Sequence, residues 1–208
     1  PPRATKAIPR ESTGMLGDLG WTAQYKYNDT RLIIKYCHNG QIQLWNRHAE
    51  QLRSYTPTEH LLGQLHALRI QLGLAENQVS MLDGGLLDQK HRAIKDTIVI
   101  WDILVKNDEH LLGTTYKHRE TLIKPCHKQQ WHHTWRNNKP IPLGTNHTQD
   151  IFTPTSFPKE CWDNMWDTIH EANKPFINQG NISPVLEGLF FKDPNAPLEM
   201  SFSPKNNS

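Results

Sequence analysis

The sequence predicts an α+β fold of antiparallel sheets flanked by helices, in one domain over residues 1–208. Three observations point there. RLIIKYCH and QIQLWNR are strand-like runs joined by Asn39-Gly40, the strongest short hairpin signal because both residues tolerate positive φ, so a tight turn is expected. Thr56-Pro57-Thr58-Glu59 opens a helix as a capping box, with Thr56 at the N-cap, Pro57 at the first helical position and Glu59 three residues on. VSMLDGGLLD and DTIVIWDILV are apolar runs that suit strands buried on both faces.

The elements follow in order. The first residues, PPRATKAIPRESTG, read as an extended lead-in, and order is expected from Trp21, where WTAQYKY forms a strand. Helix 56–72 carries Leu61, Leu62, Leu65, Leu68 and Leu72 on its apolar face and stops at Gly73. A further helix is expected over Tyr116 to Ile123. From Lys124 to Phe157 the abundance of polar, Pro and Gly residues predicts a long loop or a short surface excursion. A helix from Pro158 to Asn173 places Trp162, Met165, Trp166 and Ile169 at helical spacing, a stripe read as core packing. VLEGLFFKD closes the series as a strand ending near Lys192, before a Pro-rich tail.

With 208 residues the chain is long enough to bury a sizeable core. Its 23 Lys and Arg against 21 Asp and Glu permit an anionic partner without demanding one. Cys37, Cys126 and Cys161 are odd in number and widely spaced, which suits buried thiols in a reducing compartment rather than a disulfide framework. No run of about 18 apolar residues occurs, so the expectation is a cytoplasmic monomer, in the host cytoplasm if the source is viral, with no membrane partner. Cys126-His127 with His132-His133 matches no standard zinc spacing. Lys6, Arg10, Arg47, Arg53, Lys90 and Arg92 read more simply as a solvated mixed-charge surface than as a nucleic-acid face.

QYKYNDTR sets Lys26 between two tyrosines, before a polar turn and an apolar strand. Singly, Lys26, Trp101, Glu187 and Lys192 have bland readings as solvated charges or a packed aromatic. Their order is another matter: a lysine after a strand, then a strand with DGG, then one with an aromatic before Asp, then EGLFFK, resembles the motif series of the covalent nucleotidyltransferases. That superfamily comprises ATP-dependent DNA ligases, RNA ligases and mRNA capping enzymes. The resemblance runs from about Thr5 to the C-terminus and is best to the adenylation domain of a phage-type, ATP-dependent DNA ligase. It implies an ATP-grasp-like nucleotidyltransferase domain.

KYNDTR resembles K-x-D-G-x-R, which implies that Lys26 takes the nucleotide and that Arg31 contacts nucleotide or nucleic-acid phosphate. NRHAEQ resembles S-R-N-G-E and nominates Arg47; IVIWDIL makes Trp101 the stacking aromatic; LEGLFFK resembles E-G-x-x-x-K and nominates Glu187 and Lys192. Gln24 occupies a position that the family often uses to read the adenine edge. The implied cofactors are ATP and Mg²⁺, with Glu187 as the metal carboxylate. The implied substrate is nicked DNA or RNA. An amine attacks phosphorus only when neutral, so Arg31, Lys192 and the metal are expected to depress the lysine's pKa. Glu187-Gly188 suits close approach of backbone to ligand.

Three departures stand out. Asn28-Asp29 replaces Asp-Gly, residues next best suited to left-handed geometry. Gly85 replaces the glutamate expected to hold the ribose hydroxyls, and Asp83 is expected to face the other side of its strand. The final lysine-bearing motif and the oligonucleotide-binding barrel are expected to be absent, as in a domain cut short. Alternatives are an RNA ligase, a capping guanylyltransferase, or a degenerate nucleotide- or nucleic-acid-binding module without catalysis.

Overall fold

The structure, a computed structural model, describes residues 7–87, 96–124, 130–134, 140–177 and 184–199. A 3-10 turn at Arg10–Ser12 leads into the short helix α1 (Gly14–Asp18), then β1 (Thr22–Tyr27), β2 (Thr30–Tyr36), β3 (Ile42–Trp45), α2 (Glu59–Gln71), β4 (Ser80–Leu87) and β5 (Thr97–Lys106). The two-residue β6 (Glu109–His110), α3 (Tyr116–Leu122), β7 (Gln130–Thr134), β8 (Pro140–Asn146), β9 (Ile151–Pro154), α4 (Trp162–Ile177) and β10 (Leu186–Lys192) complete it. The fold is mixed α+β, with mainly antiparallel sheets flanked by helices.

The large sheet runs β3-β2-β4-β5-β9-β8-β7, with β6 added to β5, and β1 pairs with β10 in a separate two-stranded ribbon. Only the β5–β9 pairing, Ile98 against Ile151 and Val99 against Phe152, is parallel among the described residues. The apolar run of β5 is explained by two cores. Ile98, Ile100 and Ile103 join Leu32, Ile34, Leu82 and the α2 residues Leu61, Leu65 and Leu68 in one. Val99 joins Ala23, Tyr25, Tyr27, Phe152 and the α4 residues Trp162, Met165 and Ile169 in the other, as the helical stripe requires. A strand covered on both faces has no reason to alternate polar and apolar residues.

Several sequence expectations are corrected. Residues 7–20 are not a simple extended lead-in: α1 forms there, and Leu16 packs against the second core. The hairpin from β2 to β3 exists, yet its connection runs from Cys37 to Gln41, and Gly40 alone takes positive φ (79°). Gly40 N donates to Cys37 O at 3.0 Å, a four-residue turn rather than a two-residue one.

α2 begins two residues later than the capping-box reading. Thr58 is extended (ψ 157°) and its side chain accepts from Leu61 N at 3.2 Å. Thr58, the second threonine, is therefore the N-cap, and Pro57 lies one residue before it. Thr58→Ala is expected to cost about 1 kcal/mol in a urea titration, and Thr56→Ala less than about 0.5 kcal/mol. The stop is as read: Gly73 has φ 64°.

Residues 124–157 are the largest miss. They include β7, β8 and β9, and Ile151 and Phe152 are completely buried. β9 is four residues of IFTP behind a polar stretch, too short to show periodicity, and its partner β5 is remote in sequence. Cys126 and His127 lie outside the described residues, as do Lys6, Lys90 and Arg92. Cys37 and Cys161 are half-buried free thiols rather than fully buried ones. Among the described residues, no helix is long and apolar enough to cross a membrane.

Candidate active site

The β1–β10 ribbon lies over one face of the large sheet, and the candidate residues gather along that junction. In β1 the side chains alternate: Tyr25 and Tyr27 are buried in the second core, while Lys26 is exposed. Lys26 is opposite Gly188 and Tyr27 is opposite Leu186, so Glu187 is an extra residue, a bulge in β10. Bulges re-aim side chains. Here Lys26 Nζ and Glu187 Oε2 meet at 2.5 Å, with the lysine side chain half exposed.

Gly188 has φ 153°, while a Cβ there would find only Trp166, at 3.9 Å. Glycine at 188 therefore serves the backbone conformation of the bulge, and the space above it is open.

A second bulge falls on Trp101. Asp83 pairs with Asp102 and Gly84 with Ile100, leaving Trp101 as the inserted residue of β5. Its half-buried ring lies 5.8 Å from that of Tyr27 between centroids, joining sheet to ribbon. Lys192 adds a second link: its Nζ donates to Trp101 O at 3.2 Å and stands 4.0 Å over the Tyr116 ring.

Asp83 and Gly85 are next-but-one in β4 and so share a face, which corrects the expectation that Asp83 points away. Ile33 and Arg31 lie opposite them in β2. Asp83 binds the Arg31 guanidinium through two contacts, Nε to Oδ1 at 2.6 Å and Nη2 to Oδ2. Burial pushes the Asp83 carboxyl up to about 6, against the opposing pull of Arg31. Asp102 is bound in the same forked manner by Arg119, at 2.8 and 3.1 Å. The two facing acids are thus each answered by an arginine from another element.

Gln24 is buried, and its Nε2 donates to Tyr116 Oη at 3.0 Å and Ser156 Oγ at 2.9 Å. Ser156 in turn donates to Glu120. Arg47 stands apart on an exposed turn beyond β3, where its Nε donates to His48. The structure therefore brings Lys26 and Glu187 into contact, sets Lys192 against Trp101, and holds Arg31 to Asp83.

Lys192 lies opposite Thr22, four residues along β10 from the position facing Lys26. The ion-pair partner of Lys26 is an acid, whereas the sequence led us to expect cations beside it. Asn28 and Asp29 do not adopt left-handed geometry. Asn28 instead ties the turn to β10, its backbone N donating to Val185 O at 2.9 Å and its Nδ2 to Pro184 O at 3.0 Å. Two open surface hollows lie elsewhere, by Trp45–Ser54 and by Arg10 and Trp166.

Sequence reasoning passed over Asp102, Tyr116, Arg119, Glu120 and Ser156. Asp102 carried a signal, a charge inside the apolar run IVIWDILV, which requires a partner when buried. Lys192 is pushed down to about 8, chiefly by burial, with Asp102, Glu120 and Asp83 pulling the other way.

The unfolded lysine titrates near 10.5, so below about 8 both states are protonated and the burial penalty is fully present. Stability contributed at this position should rise between these pH values, by at most about 3 kcal/mol. Urea midpoints of the parent and Lys192→Met, compared from pH 7 to 11, should converge or cross over that window in the parent's favour.

Solved structures similar to this chain include DNA ligases. Mycobacterial DNA ligase D in complex with ATP and MES gives TM-score 0.46 at 19% identity, covering 85% of this chain and 49% of that one. The ligase domain from M. tuberculosis LigD gives 0.46 at 18%, covering 85% and 48%. A structure called Pmar-Lig_PreS3 gives 0.47 at 15%, covering 85% and 39%. This chain spans about half or less of the length of each. Likeness of that degree assigns no activity. No family model and no curated protein matches the sequence.

Proposed function

We propose that this chain is the adenylation domain of an ATP-dependent polynucleotide ligase, acting on DNA rather than RNA. The observation that carries the reading is the contact of Lys26 with Glu187, the bulge residue of β10. Bulges are over-represented beside active sites, and here they fall at Glu187 and at Trp101. The preference for DNA leans on the resemblance of NRHAEQ and TYKHRETLI to ligase sequences.

Lys26 Nζ, as the free amine, attacks the α-phosphorus of ATP. An N–P bond forms, the P–O bond to pyrophosphate breaks, and Glu187 Oε2 is placed to take the amine's proton. AMP then passes from Lys26 to a 5′-phosphate, and a 3′-hydroxyl displaces it. Trp101 offers a face to the adenine. Arg31 and Lys192 supply positive charge toward the phosphates, where positioning and electrostatics provide most of the catalysis of phosphoryl transfer.

Among the described residues no group of three or more His, Cys, Asp or Glu could hold a metal. Magnesium keeps several waters and needs only one or two carboxylates alongside substrate phosphates, so Glu187 fits it as a single protein ligand. When bound, the ion would neutralise charge on the phosphates.

Incubation of the chain with magnesium and ATP labelled at the α-phosphate should give an acid-labile covalent adduct. A second reading, a nucleotide-binding module without catalysis, is favoured by the departures at Gly85 and Asn28-Asp29. ATP binding without any adduct would establish that reading and overturn the first.

A further inference from the structure

The missing glutamate of β4 and the extra aspartate of the β1–β2 turn are one feature. A Cβ built on Gly85 would lie 2.5 Å from Asp29 Cγ, 2.7 Å from its Oδ2 and 2.8 Å from Trp101 Cζ2. The Asp29 carboxylate therefore occupies the space into which a side chain at 85 would project. That space is on the sheet face shared by Asp83 and Arg31, and it borders the Trp101 ring. Asp29 is three residues beyond Lys26, at the end of the strand that carries the amine.

We propose that Asp29 accepts the hydroxyl hydrogens of the nucleotide's ribose, doing from the turn what a strand side chain at 85 has no room to do. The inference rests on the nucleotide reading above. In any nucleotide the sugar joins base to α-phosphate, so a base on Trp101 brings the sugar to the edge of that ring, where the Asp29 carboxylate crowds the same point above Gly85 as Trp101 Cζ2 does. A carboxylate is an acceptor-only group with two oxygens, suited to a vicinal diol. Gly85 is thus required by Asp29 together with the Trp101 ring, and the carboxylate absent from 85 is supplied from 29.

The test compares affinities of the whole chain for ATP, 2′-deoxyATP and 3′-deoxyATP, read by tryptophan quenching, with melting temperatures beside them. The parent should bind the deoxy analogues about tenfold more weakly than ATP, since bonds to a charged acceptor are the strong ones. Asp29→Ala should bind all three nearly equally, and the isosteric Asp29→Asn should fall between, keeping the packing should the alanine variant misfold.

Gly85→Glu alone should melt lower than the parent, and Asp29→Gly added to it should recover part of the melting loss, the Trp101 ring still crowding position 85, and restore discrimination. An unchanged ratio of ATP to deoxy analogues in Asp29→Asn, or a double variant no better than Gly85→Glu, sinks the inference while leaving nucleotide binding intact. A parent that binds none of the three removes the nucleotide reading itself, and the inference with it.

Discussion

Lys26→Ala is expected to abolish the labelled adduct, and Lys26→Arg to abolish it as completely. A guanidinium cannot be deprotonated in a protein, so it keeps a positive charge and offers no lone pair to phosphorus. Folding should hardly register either change. The Lys26–Glu187 pair is half exposed, and such pairs contribute about 0–1 kcal/mol. Loss of adduct with unchanged melting therefore separates chemistry from stability. An adduct that persists at full strength in Lys26→Ala would place the nucleophile elsewhere.

Asp102→Ala should lower the unfolding free energy by about 3–5 kcal/mol, a large part of the 5–15 kcal/mol of an ordinary domain. Asp102 is 6% exposed and Arg119 4%. Removing the acid strands a buried guanidinium whose remaining bond is to Thr114 O, and removes the acceptor of Ile103 N at 2.8 Å.

Replacing both members, as Asp102→Leu with Arg119→Met, should cost much less, because no uncompensated charge remains. Urea titrations with unchanged slope would measure both. The single change also removes an acid that supports the Lys192 ammonium, so the Lys192 transition should move further down.

How far the sequence could be read depended on whether the determining contacts were local. The α2 stop at Gly73, the stripe of α4 and the doubly buried β5 follow from neighbours within a few turns of chain. β9 was invisible because its four residues make sense only beside β5. The N-cap at Thr58 was not legible because two threonines flank Pro57 and both suit a cap; only the bond from Leu61 N to the Thr58 side chain separates them.

The site divides likewise. Lys26 and Glu187 were legible as residue types in order, while Gln24 turned out to be bonded to Tyr116 and Ser156, which no spacing in the sequence connects to it. Arg31 was nominated for phosphate and is held by Asp83, the acid that strand alternation was taken to exclude.

By itself the sequence determined the strands β1 to β5 and β10, the helices α2 to α4, their apolar faces, and which residue types are available for nucleotide chemistry. Only the tertiary structure decided that Glu187 and Trp101 are bulge residues and that Asp29 fills the space above Gly85. Those facts depend on the register between strands far apart in the chain. One residue more or less on either strand redirects a side chain to the other face, and no local pattern records that choice.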